Sequence, residues 1–187
     1  MANKALNVSA GKPKATGAIW VAPLGTTLPT DTDTELTGFD CLGYCSDDGL
    51  SNSTNLESET IKAWGGDTVL TIQTSKEDTF GFTLIEVLNV DVLKFVYGSA
   101  NVSGDLENGI TLTANNQDVE EKTIVIDMIM RDNTAKRVVI PTCKISEIGD
   151  ITYSDSAAVG YEITVKCSPD EDGNTHYEYI RKSSISA

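Results

Sequence analysis

Apolar and polar residues alternate most regularly between Thr68 and Leu84, in "TVLTIQTSKEDTFGFTL". Leu70, Ile72, Phe80, Phe82 and Leu84 recur at period two, with Thr71, Gln73, Ser75, Thr79, Gly81 and Thr83 between them. That period marks a half-buried strand, because successive side chains point to opposite faces. The charged run "TSKED" interrupts the pattern and predicts a turn, so the stretch reads as a β-hairpin. One of its faces belongs to a core; the other is small, polar and rich in threonine.

The spacing changes in "NVDVLKFVYG", which predicts a helix over 89–97. Asn89 suits the N-cap, Asp91 lies where the helix dipole favours an acid, and Gly98 suits the stop. Val92, Phe95 and Val96, with Leu88 just before them, predict one buried stripe. The β-branched content makes tertiary packing its main support. Strand-like runs return in "GITLTA", "KTIVIDMIMRD", "KRVVIPTCKI", "DITYSD" and "GYEITVKCS", and "AIWVAPL" adds one near the start. Short strands between turn residues, with one helix, predict a mainly β fold, sandwich- or barrel-like, with long loops. At 187 residues and without an internal repeat, the chain reads as one domain.

Charge adds a second layer of organisation. Residues 1–17 form a basic arm with Lys4, Lys12 and Lys14 and no acid. From Ala15 to Ile61 there is no Lys or Arg, while Asp31, Asp33, Glu35, Asp40, Asp47, Asp48, Glu57 and Glu59 accumulate. Together with its Thr, Ser, Asn and Gly, that content predicts a long acidic loop over 31–60, and residues 169–187 read as a C-terminal extension. The net charge of −14, with no basic patch, argues against binding nucleic acid or anionic membranes. No apolar run approaches a membrane span and the N-terminus lacks a signal-peptide core, which predicts a soluble protein held in the cytoplasm until assembly.

Candidate chemistry is sparse. The lone His176 lies in the polar segment "DEDGNTHYEYI" and reads as a surface residue. "SAGKPKATG" has a GK pair without phosphate-loop spacing. "PDEDGN" resembles the start of a calcium loop, but Thr175 and Arg181 stand where Gly and Glu are needed, so a tight acidic turn is expected. Cys41, Cys45, Cys143 and Cys167 lack paired zinc spacing and read as free, mostly buried thiols; a Cys41–Cys45 disulfide stays open. The expectation is a structural protein without catalytic residues, metal or cofactor.

The run "IKAWGGDTVLTIQTSKEDTFGFTLIEVLNVDVLKFVYG" (61–98) resembles the central segment of major tail tube proteins of long-tailed bacteriophages and prophages. "GAIWVAPLGTTLPTD" and "GYCSDDGL" resemble that family's N-terminal strand and loop, and "AVGYEITVKCSPDEDGNTHYEYI" its closing strand and tail. The resemblance covers most of the chain and implies a fold of two packed antiparallel β-sheets with one flanking α-helix, shared with tube proteins of type VI secretion and contractile tails. It implies hexameric rings stacked into a tube, a sheet of each subunit joining a barrel around the lumen, and arms and loops binding the next ring. The tape measure, tail terminator and distal tail proteins are the implied partners, the virion tail the implied location, and genome DNA passes without specific binding.

Roles follow from that implication. Leu70, Ile72, Phe80, Phe82 and Leu84 are expected to face the protein core. Thr71, Gln73, Ser75, Thr79 and Thr83 are expected to face the lumen, with Glu162 and Thr164 on a neighbouring strand. A sliding polyanion needs a small, neutral-to-acidic lining. Inter-ring contacts are expected from Lys4, Lys12 and Lys14 against Asp31, Asp33, Glu35, Asp47, Asp48, Glu57 and Glu59. The alternatives are an Ig-like virion decoration domain and a carbohydrate-binding module, for which Trp20, Trp64 and the tyrosines are the only aromatic candidates.

Overall fold

The apolar runs "TIVIDMI" and "RVVIPTC" form the centre of the molecule, a computed structural model that describes residues 3–182. Residues 1–2 of the expected arm and 183–187 of the expected extension lie outside the described residues. In chain order the strands are β1 (Lys12–Pro13), β2 (Ile19–Pro23), β3 (Asp40–Cys41), β4 (Cys45–Lys62) and β5 (Thr68–Leu84). Helix α1 (Val90–Tyr97) follows, then β6 (Val102–Asp105), β7 (Gly109–Leu112), β8 (Lys122–Ile129), β9 (Thr134–Ile148), β10 (Tyr161–Ser168) and β11 (Tyr177–Lys182). The expected class holds: mainly β, two antiparallel sheets and one helix. The division is unequal, with nine strands in one sheet and the β6–β7 pair alone in the other.

The large sheet runs β3-β2-β8-β9-β10-β5-β4, with β1 on β8 and β11 on β9. Its main core face carries Ile19, Val21, Ile124, Ile126, Val138, Ile140, Ile163, Val165, Phe80, Phe82 and Leu84, closed over by Val92, Leu93, Phe95 and Val96 of α1. Phe82 and Phe95 stack with centroids 6.4 Å apart. Asn89 caps α1 by accepting from the Asp91 N–H at 3.0 Å, and Gly98 ends it. Leu88 departs from the expected stripe: it is exposed before the helix begins, and Leu93 takes the buried position.

The opposite face is covered at one end by the loop between β2 and β3. There Ala22, Phe39, Val125 and Val139 are buried, with Trp20, Leu28, Leu36, Tyr177 and Tyr179 packed around them. This patch explains why part of the expected C-terminal extension is strand. Tyr177 and Tyr179 alternate onto it while β11 pairs with β9. The expected strand "DITYSD" is loop instead. All four cysteines are free thiols, with Cys143 and Cys167 buried and Cys41 and Cys45 half-buried. No helix among the described residues is long and apolar enough to cross a membrane.

Candidate assembly surface

The expected hairpin is real but longer and differently hinged. The turn is "AWGGD" (63–67): Ala63 donates its N–H to the Asp67 carbonyl at 2.7 Å, and Gly66 donates to Ala63 at 3.0 Å. Gly65 and Gly66 have φ of 119° and 100°, which side chains other than glycine's strongly disfavour. "TSKED" is therefore strand, correcting the turn expected there. Its polar groups find lateral partners, which makes the extended backbone tolerable. Ser75 donates to Glu57 at 2.9 Å, Glu77 pairs with Lys166, and the buried Asp78 accepts from Thr54 and Thr175.

The acidic segment expected as a loop over 31–60 divides for the same reason. Residues 45–60 are strand, so Asp47, Asp48, Glu57 and Glu59 stand on β4 rather than in a loop. β10 accompanies β5 only from Thr79 to Leu84. Beyond Asp78 the β4–β5 pair projects alone, and its eleven-residue free arm (68–78) reaches about 33 Å at the usual rise per residue. β4 is the last strand of the sheet, so its outer edge has no strand partner among the described residues.

A register shift within this ribbon redistributes the expected faces. Glu57 pairs with Ser75 but Ser58 pairs with Gln73, so Thr74 is an extra residue on β5. A one-residue bulge exchanges the faces of everything beyond it. Leu70 and Ile72, expected beneath Phe80, instead pair with Ile61 and Glu59 on the face shared by Thr79 and Ser53. Both are exposed, which corrects their assignment to the core, whereas Phe80, Phe82 and Leu84 are buried as expected. Thr71 and Gln73 move the other way, pairing with Thr60 and Ser58.

The remaining polar positions converge. Thr83 pairs with Glu162, Gly81 with Thr164, and Thr79 with Lys166, so Thr79, Thr83, Glu162 and Thr164 share one face, continued by Ser75 along the ribbon. Glu57, Glu59, Glu77, Glu147 and Glu162 bring five carboxylates to it, against the ammoniums of Lys144 and Lys166. Glu77 neutralises Lys166, and Asp118 lies 3.1 Å from Lys144.

Two buried polar centres hold this surface in place. At the root of the ribbon, burial alone would raise the Asp78 carboxyl; the hydroxyls of Thr175 and Thr54 and the Lys76 ammonium at 3.2 Å outweigh it and hold the group at about 2. His176, expected at the surface, is half-buried beside this centre, edge-on to Phe80 at 5.3 Å. The acidic turn before it forms as expected, with Asp170 accepting from the N–H groups of Asp172 and Asn174 and from Tyr177.

The second centre is Arg137, which donates to both oxygens of Asp127 at 2.6 and 2.8 Å. Its third nitrogen donates to the carbonyls of Asp31 at 3.1 Å and Thr34 at 2.8 Å. Lys14 reaches the same Asp127 at 3.4 Å. The arm and the acidic loop therefore meet within one chain: Lys14 and Asp31 are tied to the sheet, and Asp33 pairs with Arg181. Backbone and hydroxyl donors of Thr34, then the Asp33 N–H, hold the Asp31 carboxyl below the usual range. Lys4, Lys12, Glu35, Asp47, Asp48, Glu57 and Glu59 remain exposed. Sequence reasoning missed the Asp127–Arg137 pair, although Asp127 stands inside the apolar run "TIVIDMI" and Arg137 borders "VVI", and charges buried in such strands need a partner.

Among the described residues no group of three or more His, Cys, Asp or Glu side chains is arranged to hold a metal. What the surface offers is contact: a projecting ribbon with an open edge, next to a polar sheet face. That combination defines a structural β protein whose developed surface is suited to another protein chain. The sequence model of the family described as phage tail tube protein matches residues 4–187, and this chain belongs to that family. Among solved structures, the tube-terminating cap of the anti-feeding prophage is similar at 10% identity, covering 95% of this chain and 98% of that one, with a TM-score of 0.44. A chain of the PVC sheath–tube complex, an extracellular contractile injection system in its extended state, is similar at 9% identity over 89% and 90%, with a TM-score of 0.42. A search of curated proteins finds no match.

Proposed function

We propose that this chain is the repeating subunit of a tail tube, six copies forming a ring and rings stacking into a conduit for the genome. The observation that carries the reading is the β4–β5 ribbon. It leaves Leu56, Ile61, Trp64, Val69, Leu70 and Ile72 in water, and a lone two-stranded ribbon is marginal without something packed on it. Further copies of the chain supply that cover, and the open edge of β4 lets the sheet continue from subunit to subunit around the lumen.

The lining in this reading is the part of that face on the near side of the bulge, Ser75, Thr79, Thr83, Glu162 and Thr164; beyond the bulge the same face carries Glu59, Ile61, Leu70 and Ile72, which neighbouring copies cover. Thr71 and Gln73, on the reverse of the ribbon, are outside it. Its uncompensated carboxylates repel phosphates and leave DNA without a place to hold. Lys4, Lys12, Glu35, Asp47, Asp48 and Glu59 stay available for contacts between rings, whereas Glu57, expected there too, joins Ser75 on the lining face. The tube's ends would meet the tape measure, terminator and distal tail proteins, and subunits would wait in the host cytoplasm before joining the virion tail. Negative-stain microscopy of the purified protein at rising concentration tests this: rings or tubes with a stained central channel are expected, and a persistent monodisperse monomer refutes the assembly.

A further inference from the structure

Two of the four thiols face each other across the centre of the sheet. Cys143 of β9 and Cys167 of β10 are directly opposite in the antiparallel ladder, and both are buried in the main core. Opposed residues in such a ladder have Cα atoms about 4.5 or 5.5 Å apart, and both separations fall within the span that a disulfide bridges without backbone movement. The other two cysteines lack this arrangement, since Cys41 pairs with Trp20 and Cys45 with Leu84. Burial raises the Cys143 thiol, and the neighbouring Cys167 adds to it. Cys143 also donates to the Lys122 carbonyl at 3.4 Å, a weak bond that rotation about its Cα–Cβ bond gives up. Both thiols are nearly closed to solvent, Cys143 at 1% and Cys167 at 6% exposed. Cys167 stands one residue from the end of β10, however, and Pro169 stops the ladder there. β11 resumes the pairing with β9 only at Tyr177, so this strand end is where a local opening admits a small reagent.

We infer that Cys143 and Cys167 are a dithiol–disulfide couple, which a small disulfide such as oxidised glutathione converts into a covalent brace between β9 and β10. The Cys167 thiolate attacks one sulfur of the reagent, forming a mixed disulfide and releasing one reagent thiolate. The Cys143 thiolate then attacks the Cys167 sulfur and expels the second. One reagent S–S bond is broken and one protein S–S bond is formed. The two protein sulfurs are oxidised, and the electrons and the two protons leave on two molecules of reduced reagent. A thiol-rich compartment holds the pair reduced, and an oxidising one closes it. The bond lies beside the root of the ribbon: Lys166, next to Cys167, pairs with Thr79, and the Asp78 carboxylate acts on the Cys167 thiol. Closing it therefore fixes β10 against β9 in the row from which the ribbon departs. The inference goes beyond the tube reading and stands without it.

The test incubates the full-length protein with oxidised glutathione at pH 8, in urea just below its unfolding transition so that strand ends open. Remaining thiols are then alkylated, and the protein is digested with trypsin without reduction. Mass spectrometry should find the peptide 138–144 linked to the peptide 167–181, and dithiothreitol should separate them. Glutathione adducts on Cys143 or Cys167 without that link, links from either to Cys41 or Cys45, or a pair that stays reduced would each overturn the inference. In the same protein the closed bond should raise the urea midpoint by about 1.5 M over the dithiothreitol-treated form, as expected for closing the loop from 143 to 167. Cys167→Ser should abolish that difference. Equal midpoints for the linked and reduced forms would show that the bond braces nothing.

Discussion

Replacing Arg137 by Met removes the most heavily bonded buried side chain of the sheet. Asp127, only 4% exposed, would keep a single partner, the half-exposed Lys14 at 3.4 Å. Removing one member of a buried pair typically costs 3–5 kcal/mol, because the remaining charge is stranded in a poorly solvating interior. The carbonyls of Asp31 and Thr34 would also lose their donor, although as partly buried groups they can turn toward water. The expected loss is therefore about 4 kcal/mol. In urea denaturation with a slope of about 2 kcal/mol per molar, that moves the midpoint down by about 2 M. Pairing Arg137→Met with Asp127→Leu should recover most of the loss, since an apolar pair of similar volume needs no solvation. The cycle should show a coupling of at least about 2 kcal/mol. Hydrogen exchange should quicken at the amides of Asp33 and Thr34, whose turn Arg137 pins. A single-variant cost below about 1 kcal/mol, or a double variant as poor as the sum of its parts, would refute the reasoning.

Asp78 gives a pH dependence. Its folded-state value of about 2 lies below the ordinary 3.8, so its contribution is complete above the ordinary value and is lost as pH falls through about 2. Asp78→Asn should flatten the stability–pH slope between those limits, read by denaturation midpoints; an unchanged slope would sink the assignment. Burial pushes the Cys45 thiol up to about 11, with Cys41 and Glu86 adding to it, and the Cys167 thiol up to about 12, with Asp78 adding to it; burial raises Cys143 as well. An aromatic disulfide at pH 8 should therefore leave these three unlabelled in the native protein and react with them in urea, and rapid native labelling of Cys143 would contradict its burial. Thr79→Lys with Thr83→Lys should leave folding intact but make assembled protein retain DNA in a salt-dependent manner; indifference to DNA would remove that face from the lining.

The parts of the fold legible in the sequence are those where one physical rule acts alone. Phe80, Phe82 and Leu84 read correctly because their strand has a core on one side and no irregularity between them. Asn89, Asp91 and Gly98 read correctly because capping is local. The ribbon departs from its pattern where two rules compete. Charge at "TSKED" resembled a turn, but lateral partners on β4, β10 and the segment before β11 satisfy those groups, and such partners are distant in sequence. The double glycine at 65–66 was the better turn signal, since only the backbone demands it. The bulge at Thr74 leaves no trace in the alternation, yet it transfers Leu70 and Ile72 from one face to the other. A correct period was thus read with the wrong phase.

That change of phase bears on how the surface works. Had Leu70 and Ile72 continued the Phe80 face, the ribbon would be a one-sided extension of the core. With the bulge, apolar side chains stand on both sides: Leu56 opposite Lys76 on one, and Ile61, Leu70 and Ile72 on the other. A two-sided ribbon cannot be covered by a single flat contact; in the proposed tube it is enclosed between neighbours. The net charge of −14 opposes such enclosure at long range, and its repulsion is screened beyond about 10 Å at 0.1 M salt. Apolar burial acts only on contact and is not screened. Moderate salt should therefore promote association until it begins to weaken the ion pairs at the interface. In the proposed tube, the opposition of charge and apolar contact would keep an open-edged subunit dispersed until enough neighbours are present to enclose its ribbon.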